Sequence, residues 1–346
     1  MHSIFYAKNV SKQFDKFKLD NISFEVPGGS IVGVIGKNGC GKSTLLSALM
    51  GMIKSDFEDT EIVIDSVCLQ SDEKAYKKKI AYVFNELPFR DNLSAVSIGK
   101  YYGRYYDGFD QKKYEALLKQ YGLIDFPGLP LRVSKSKKDI MNVSDFSQGQ
   151  KIRLQLAFAQ SYDAQVYFFD EPTGNLDVEF RDEFYDTVRE ISSDENKCVI
   201  YATHLVEELE HFADYILWIE KKDNVGSGFY YGSLDDLKDS YRIVSGEKEL
   251  LERIPKELVV GGRISGNSNE LLIRYDETKI DHGIGYDETK IDNGIGYDET
   301  RIDHGTRCDE IKLDHKIRQH MRYADLKEIM YYEEKAGVIS NDKGLF

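Results

Sequence analysis

The chain has no apolar run approaching the roughly 20 residues that a membrane-spanning helix needs. Its longest runs, such as Ile31–Ile35 and residues 215–219, are strand-sized. The opening MHSIFYAKNVSKQF lacks the apolar stretch of a secretory signal. Cysteine is sparse: Cys40, Cys68, Cys198 and Cys308 form no close pair, which argues against a disulfide scaffold or a cysteine-rich zinc site. A reduced, cytosolic setting is the expectation. Basic charge is short as well, with 46 Lys and Arg against 60 Asp and Glu, so the net −14 speaks against nonspecific binding of nucleic acid. Half of that excess is local, because residues 276–315 hold 12 acidic and 5 basic side chains, a net of −7. What remains is a composition with 41% hydrophobic and 31% charged residues, ordinary for a globular chain. Its 346 residues suffice for one large domain or two smaller ones.

Up to about residue 220, short apolar strands alternate with longer amphipathic helices. Strands are expected at residues 22–26, 30–36, 80–84, 166–170, 198–203 and 215–219. Helical patterns follow at 41–50, 111–121, 149–161, 178–191 and 206–212. That alternation implies an α/β unit with a largely parallel sheet. A helical segment without strands of its own is inserted between about Asn92 and Asp145. Beyond 220, residues 224–228 read as a turn and 229–231 as a short returning strand, while Ser233 and Asp236 fit a capping box for a helix through Asp239. An 11-residue repeat then runs through YDETKIDHGIG, YDETKIDNGIG, YDETRIDHGTR and the decayed CDEIKLDHK, over residues 275–316. Two glycines per unit argue against continuous helix. The tract reads either as a surface expansion with turns at its Asp-His-Gly and Asp-Asn-Gly steps or as a carboxylate–imidazole array, and it matches no calcium or zinc spacing.

Gly36-Lys37-Asn38-Gly39-Cys40-Gly41-Lys42-Ser43-Thr44 fits G-x-x-x-x-G-K-[ST], with an apolar strand before it and a helix after it. The glycines let backbone N–H groups turn toward phosphate oxygens, and the helix N-terminus adds positive charge. Lys42 should reach the β- and γ-phosphates, and the Ser43 hydroxyl is placed for Mg²⁺. Gln165 and the apolar run 166–169 lead into Asp170, 128 positions beyond Lys42, and Glu171. Asp170 suits the Mg²⁺ shell, and Glu171 suits a general base for the attacking water. ATP and Mg²⁺ are therefore the expected cofactors.

On these segments the chain resembles the ABC (ATP-binding cassette) ATPases over about residues 1–240. Phe146-Ser147-Gln148-Gly149-Gln150, 24 residues ahead of Asp170, stands where that family has its Leu-Ser-Gly-Gly-Gln signature. Phe146 and Gln148 depart from the pattern. The resemblance implies a head-to-tail dimer in which Ser147, Gly149 and Gln150 contact the partner's γ-phosphate. Gly174-Asn175-Leu176-Asp177 resembles the D-loop, in which Asp177 would tie the two sites together. His204, 34 residues beyond Asp170, resembles the switch histidine at the γ-phosphate. Ser11-Lys12-Gln13-Phe14 resembles the segment whose aromatic residue stacks on adenine; Phe14 is read either in that role or as a core residue. After residue 84 the family presents a glutamine to the metal and water. This chain has Asn85, one methylene shorter, and Glu86, and the role falls to one of the two.

The implied architecture is a P-loop NTPase cassette at 1–240, with a helical subdomain at about 86–148 and a C-terminal extension at 241–346. A single P-loop, signature and Asp-Glu pair argue against proteins with two cassettes in one chain. The segment 98–110 resembles the helical subdomain of bacterial exporter ATPases whose membrane subunits are separate chains, and residues 324–332 resemble their closing helix. The aromatic cluster 101–106 reads either as a contact for the membrane subunit or as packing within the subdomain. The expected partners are a transmembrane permease and a second ATPase subunit in a homodimer, on the cytoplasmic face of the membrane. A soluble regulatory ATPase and an importer ATPase with a regulatory C-terminal domain are the rival readings.

Overall fold

The computed structural model describes residues 2–124, 142–174, 176, 178–265, 268–276 and 315–339. Residues 277–314 of the repeat tract, with Cys308, and also Asn175 and Asp177 lie outside them. The chain divides into two compact units, Met1–Leu234 and Asp235–Phe346.

In the first unit the strands are β1 (Ser3–Gln13), β2 (Lys18–Pro27), β3 (Ile31–Ile35), β4 (Glu61–Ile64), β5 (Val67–Cys68), β6 (Ile80–Phe84), β7 (Val166–Asp170), β8 (Cys198–Ala202), β9 (Tyr215–Lys222) and β10 (Val225–Ser233). The helices are α1 (Lys42–Leu49), α2 (Glu73–Lys78), α3 (Ala95–Tyr102), α4 (Gln111–Gln120), α5 (Gln148–Ala159), α6 (Val178–Ser192) and α7 (Val206–Leu209), with α8 (Leu234–Asp239) at the unit boundary. The strands form one ten-stranded sheet in the order β5-β4-β1-β2-β10-β9-β3-β8-β7-β6. From β9 to β6 all neighbours are parallel, and β1 pairs antiparallel with β2 and β4. The α/β expectation therefore holds. β3, β7 and β8 are buried almost throughout, which is why they read as unbroken apolar runs rather than alternating ones.

Side chains from both ends of the sheet build its core, including Phe5, Leu19, Val34, Leu45, Phe168 and Ile200. Among the described residues, the insert between β6 and α5 carries α3 and α4 and no strand. Ser94 and Asp110 cap these two helices by accepting N–H groups of their first turns.

The differences from the sequence reading have local causes. The turn near 224 is the pair Asp223 and Asn224, both at positive φ, and residues 225–228 belong to β10. That two-residue hairpin is the geometry that Asp-Asn favours. Glycines at 226 and 228 disguised the strand after it. The helix expected to Phe212 stops at Leu209. β1, which was not anticipated, kinks at register shifts near Ala7 and Val10, so its alternation breaks.

The second unit carries strands in what reads as an extension. β11 (Tyr241–Ser245), β12 (Val259–Ser265), β13 (Ser268–Arg274) and β14 (Met321–Tyr323) form an antiparallel sheet in the order β12-β13-β11-β14. They are accompanied by α9 (Lys248–Leu251), α10 (His315–Arg318) and α11 (Leu326–Ile339). Val244, Leu251, Ile254, Leu271, Ile273 and Ile317 form its core. The buried Glu333 of α11 accepts hydrogen bonds from Tyr241 Oη at 2.6 Å and from Arg274 Nη2 at 2.9 Å, which ties that helix to the sheet. The segment read as a closing helix is thus the first half of α11.

Candidate functional site

Because β6, β7, β8 and β3 are parallel neighbours, their C-terminal ends lie along one edge of the sheet. Open α/β sheets bind their ligands at such an edge. Each end delivers one part of the predicted site: Asn85 and Glu86 after β6, Asp170 and Glu171 at β7, His204 after β8, and residues 36–44 after β3. Segments far apart in sequence thereby become adjacent.

The loop after β3 turns through three glycines in the left-handed region, Gly36 (φ 144), Gly39 (φ 76) and Gly41 (φ 111). Lys37, Asn38 and Gly39 are exposed at its tip, while Cys40, Gly41 and Lys42 are buried. Gly41 stands at the N-cap of α1 and has no side chain to accept a first-turn N–H, so those N–H groups are left uncapped by it. Lys42 Nζ donates to the Gly36 carbonyl at 2.8 Å, curled back over its own loop. Ser43 is exposed at the helix start, with Thr44 half-buried behind it. Gly226 on β10 backs the loop: a Cβ there would lie 2.0 Å from the Cys40 carbonyl oxygen. The sequence carried no signal for that role, since it is set by strand pairing alone.

Ser43, Asp170, Glu171, Asn85 and Glu86 line one cavity of about 490 Å³, together with Phe84, Leu87 and Pro88. Burial raises the Asp170 carboxyl above its ordinary range, Glu171 beside it adds to the shift, and the Ser43 hydroxyl and Lys42 oppose it. Asp170 Oδ1 is buried without a hydrogen-bond partner among the described residues. A buried carboxylate oxygen left unsatisfied next to a hydroxyl fits a hard divalent cation such as Mg²⁺. The described residues hold no group of three His, Cys, Asp or Glu able to cage a metal by themselves.

Glu171 sits at φ 50, a left-handed conformation costing about 1–3 kcal/mol for a non-glycine residue, and its N–H donates to the Ala202 carbonyl at 3.0 Å. His204 Nδ1 lies 2.5 Å from Glu171 Oε2. With the carboxylate accepting, the proton is on Nδ1, and Nε2 remains as the other ring nitrogen. The strained turn and the imidazole together hold the carboxylate in the cavity it shares with Ser43 and Asp170.

The signature residues stand at the start of α5. Ser147 caps the helix, accepting the Gln150 N–H, while Gln150 Oε1 accepts the Ser147 N–H at 2.9 Å. At Gly149 an added Cβ would meet nothing closer than 3.7 Å, so the chain's own packing does not demand glycine there. Phe146 is buried, which explains why an aromatic residue can replace leucine. Phe14 is 44% exposed, on the surface rather than in the core. The aromatic cluster at 101–106 divides: Tyr102 packs on Phe89 and Tyr106 on Tyr162, whereas Tyr101 lies under the Arg90 and Arg104 guanidiniums and Tyr105 is exposed.

Known proteins resemble this chain over the same segments. The ABC transporter family model matches residues 19–174, a span holding the phosphate loop, Asn85, the signature segment, Asp170 and Glu171. The Nod factor export ATP-binding protein I of Rhizobium etli is 31% identical over 236 residues, covering 66% of this chain and 69% of that protein. The phosphonates import ATP-binding protein PhnC of Fusobacterium nucleatum is 29% identical over 261 residues, covering 70% of this chain and 99% of that protein. A solved ATP-binding subunit of an ABC transporter superposes with TM-score 0.56 at 20% identity, covering 68% of this chain and 92% of that one.

Proposed function

From the premise that this chain belongs to the ABC transporter ATP-binding proteins and hydrolyses ATP, we propose that it drives an exporter as a nucleotide-sandwich homodimer beneath a separate transmembrane permease. The observation that carries the catalytic part is the single cavity shared by Ser43, Asp170, Glu171 and Asn85 at the mouth of the phosphate loop. Residues 36–44 cradle the phosphates of ATP, Lys42 leaves the Gly36 carbonyl for the β- and γ-phosphates, and Phe14 stacks on adenine. Ser43 and Asp170 would hold Mg²⁺, which would supply charge neutralisation on the phosphates. Glu171 takes the proton of the attacking water. His204, held through Nδ1, meets the γ-phosphate with its other nitrogen.

The dimer is supported by the signature helix. The α5 N-terminus, now closed by the Ser147–Gln150 capping box, and the Gly149 backbone beside it are the anion site offered to a partner's nucleotide. A glycine in a helix costs about 1 kcal/mol against alanine, and here no neighbour requires it. A phosphate brought by a partner subunit is the ligand that would. The D-loop residue Asp177 is assigned to the same interface.

Relatives named for export and for import stand at similar identity, so the direction rests on the exporter-like segment 98–110. No helix among the described residues is long and apolar enough to cross a membrane, which fits a peripheral subunit on the cytoplasmic face with a partner for the crossing. The exposed Tyr105 and the half-buried Tyr101, with Arg90 and Arg104 over their rings, are the surface proposed to meet that partner. The second unit and the repeat at 275–316 are assigned to an accessory extension.

Glu171→Gln tests the catalytic assignment. It should leave ATP binding intact, lower turnover by at least about 100-fold, and prolong the ATP-bound dimer in size-exclusion chromatography. Hydrolysis by Glu171→Gln at the wild-type rate would refute Glu171 as the base. Co-purification from detergent-solubilised membranes tests the assembly. A permease without a solute-binding protein supports export, and an associated binding protein would overturn it.

A further inference from the structure

The first two turns of α5 grip the end of β6. Gln148 Nε2 donates to the backbone carbonyl of Asn85 and to its Oδ1, the latter at 2.9 Å. Seven residues further along, on the same face of the helix, Gln155 holds Phe84 by both backbone groups. The Phe84 N–H donates to Gln155 Oε1 at 3.0 Å, and Gln155 Nε2 donates to the Phe84 carbonyl at 2.9 Å. Gln155 is buried, whereas the bonds from Gln148 lie at the surface, at the mouth of the cavity.

We infer that Gln148 is a positioning residue for Asn85, so that the helix carrying the signature also sets the amide facing Ser43, Asp170 and Glu171. This rests on the reading of Asn85 as the group presented to the cation. Both members of the pair depart from the family pattern, and the departures fit one another. Asparagine is one methylene shorter than glutamine, so its reach depends on where its backbone is held. Gln148 holds the backbone carbonyl and the side chain through one donor. An amide oxygen has two lone pairs, and Gln148 uses one, which leaves the other for the cavity. The same bonds occupy the Gln148 side chain, which otherwise adds bulk where the signature pattern has glycine. Movement of α5 against a partner's nucleotide is thereby transmitted to Asn85 in the chain's own site.

The test measures equilibrium ATP affinity of the full-length Glu171→Gln chain by calorimetry, once in saturating Mg²⁺ and once in EDTA. The ratio of the two affinities reads the contribution of the cation without turnover. Gln148→Ala and Asn85→Ala should each reduce that ratio by about 3- to 10-fold, the range one hydrogen bond carries. Gln148→Met, with similar length and no donor, should match Gln148→Ala. The double variant should lose no more than either single one, and affinity in EDTA should stay at the parent value throughout. If Asn85→Ala reduces the ratio and both Gln148 variants do not, or if the two losses add in full, the positioning role is overturned while the metal-side reading of Asn85 stands. If Asn85→Ala leaves the ratio unchanged, both readings fall together.

Discussion

One methyl group at Gly226 tests whether the phosphate loop depends on the strand behind it. Gly226 lies in β10, opposite Leu19 of β2 and Lys221 of β9. A Cβ built there stands 2.0 Å from the Cys40 carbonyl oxygen and 3.1 Å from Phe17 Cζ. A carbon–oxygen contact is comfortable at about 3.3 Å, so Gly226→Ala forces about 1.3 Å of displacement. The obstructing atom is backbone, and no rotamer change relieves it. Strand pairing on both sides of Gly226 resists movement of β10, so the strain falls largely on the loop.

Overpacking of this kind costs about 1–3 kcal/mol, and shifts of about 1 Å in a preorganised site can cost about 100-fold in function. Gly226→Ala should therefore weaken ATP binding by at least about tenfold in calorimetry and lower the thermal midpoint. The control is Gly228→Ala on the same strand, where an added Cβ meets nothing closer than 3.9 Å. It should leave both quantities unchanged. Wild-type ATP affinity in Gly226→Ala would refute the argument, whatever happened to the midpoint, because the loop would then not rest on β10.

Three further outcomes rest on the burial and ion pairing of single side chains. Phe14→Ala removes a side chain that is 44% exposed, so the thermal midpoint should hold while ATP affinity falls about 3- to 10-fold, as expected for a stacking contact; unchanged affinity would remove Phe14 from the adenine site. Cys40 is fully buried although it lies in the phosphate loop, so iodoacetamide should leave it unlabelled in the native chain and label it only on unfolding, as read by peptide mass spectrometry. Rapid native labelling would mean that the loop opens. In the second unit, the Arg322 guanidinium holds the Glu328 carboxyl below its usual range, helped by the Asp325 N–H. A depressed folded value gives stability that is present above the ordinary carboxylate range and lost as pH falls through the folded value. Glu328→Gln should thus raise amide exchange of α11 at pH 7, and the difference from wild type should vanish in acid. A difference that persisted at low pH would assign the effect to packing instead.

The phosphate loop was legible because its parts are contiguous. Residues 36–44 carry the strand end, the turn glycines and the helix start in one run, so a linear pattern captures the geometry. Asp170 and Glu171 were legible for a related reason, since a run of four apolar residues, 166–169, leads into them. Gly226 was not, because its meaning lies in a strand pairing with β2 and β9 that brings it against Cys40, nearly two hundred positions away. A glycine in a Gly-Ser-Gly run reads as turn by composition, and only the neighbour pressed against it shows why no side chain fits. The strands of the second unit were hidden similarly. Val259-Val260-Gly261-Gly262 at the start of β12 mixes strand and turn signals, and its pairing with β13 settles the conformation.

The Gln148–Asn85 pair shows the same limit from the other side. Each residue alone looks like a defect: a bulky amide at a glycine position, and a short amide where a longer one is the pattern. They are 63 positions apart, and nothing in either segment announces the other. The fold joins them because β6 lies at the end of the parallel sheet and α5 packs against it, with Gln155 anchoring Phe84 two turns away. A donor supplied by the first departure fixes the acceptor created by the second. If a sequence retained only one of the two, the physical expectation is a loss: Gln148 without Asn85 crowds the signature turn, and Asn85 without Gln148 loses the support that compensates its short reach.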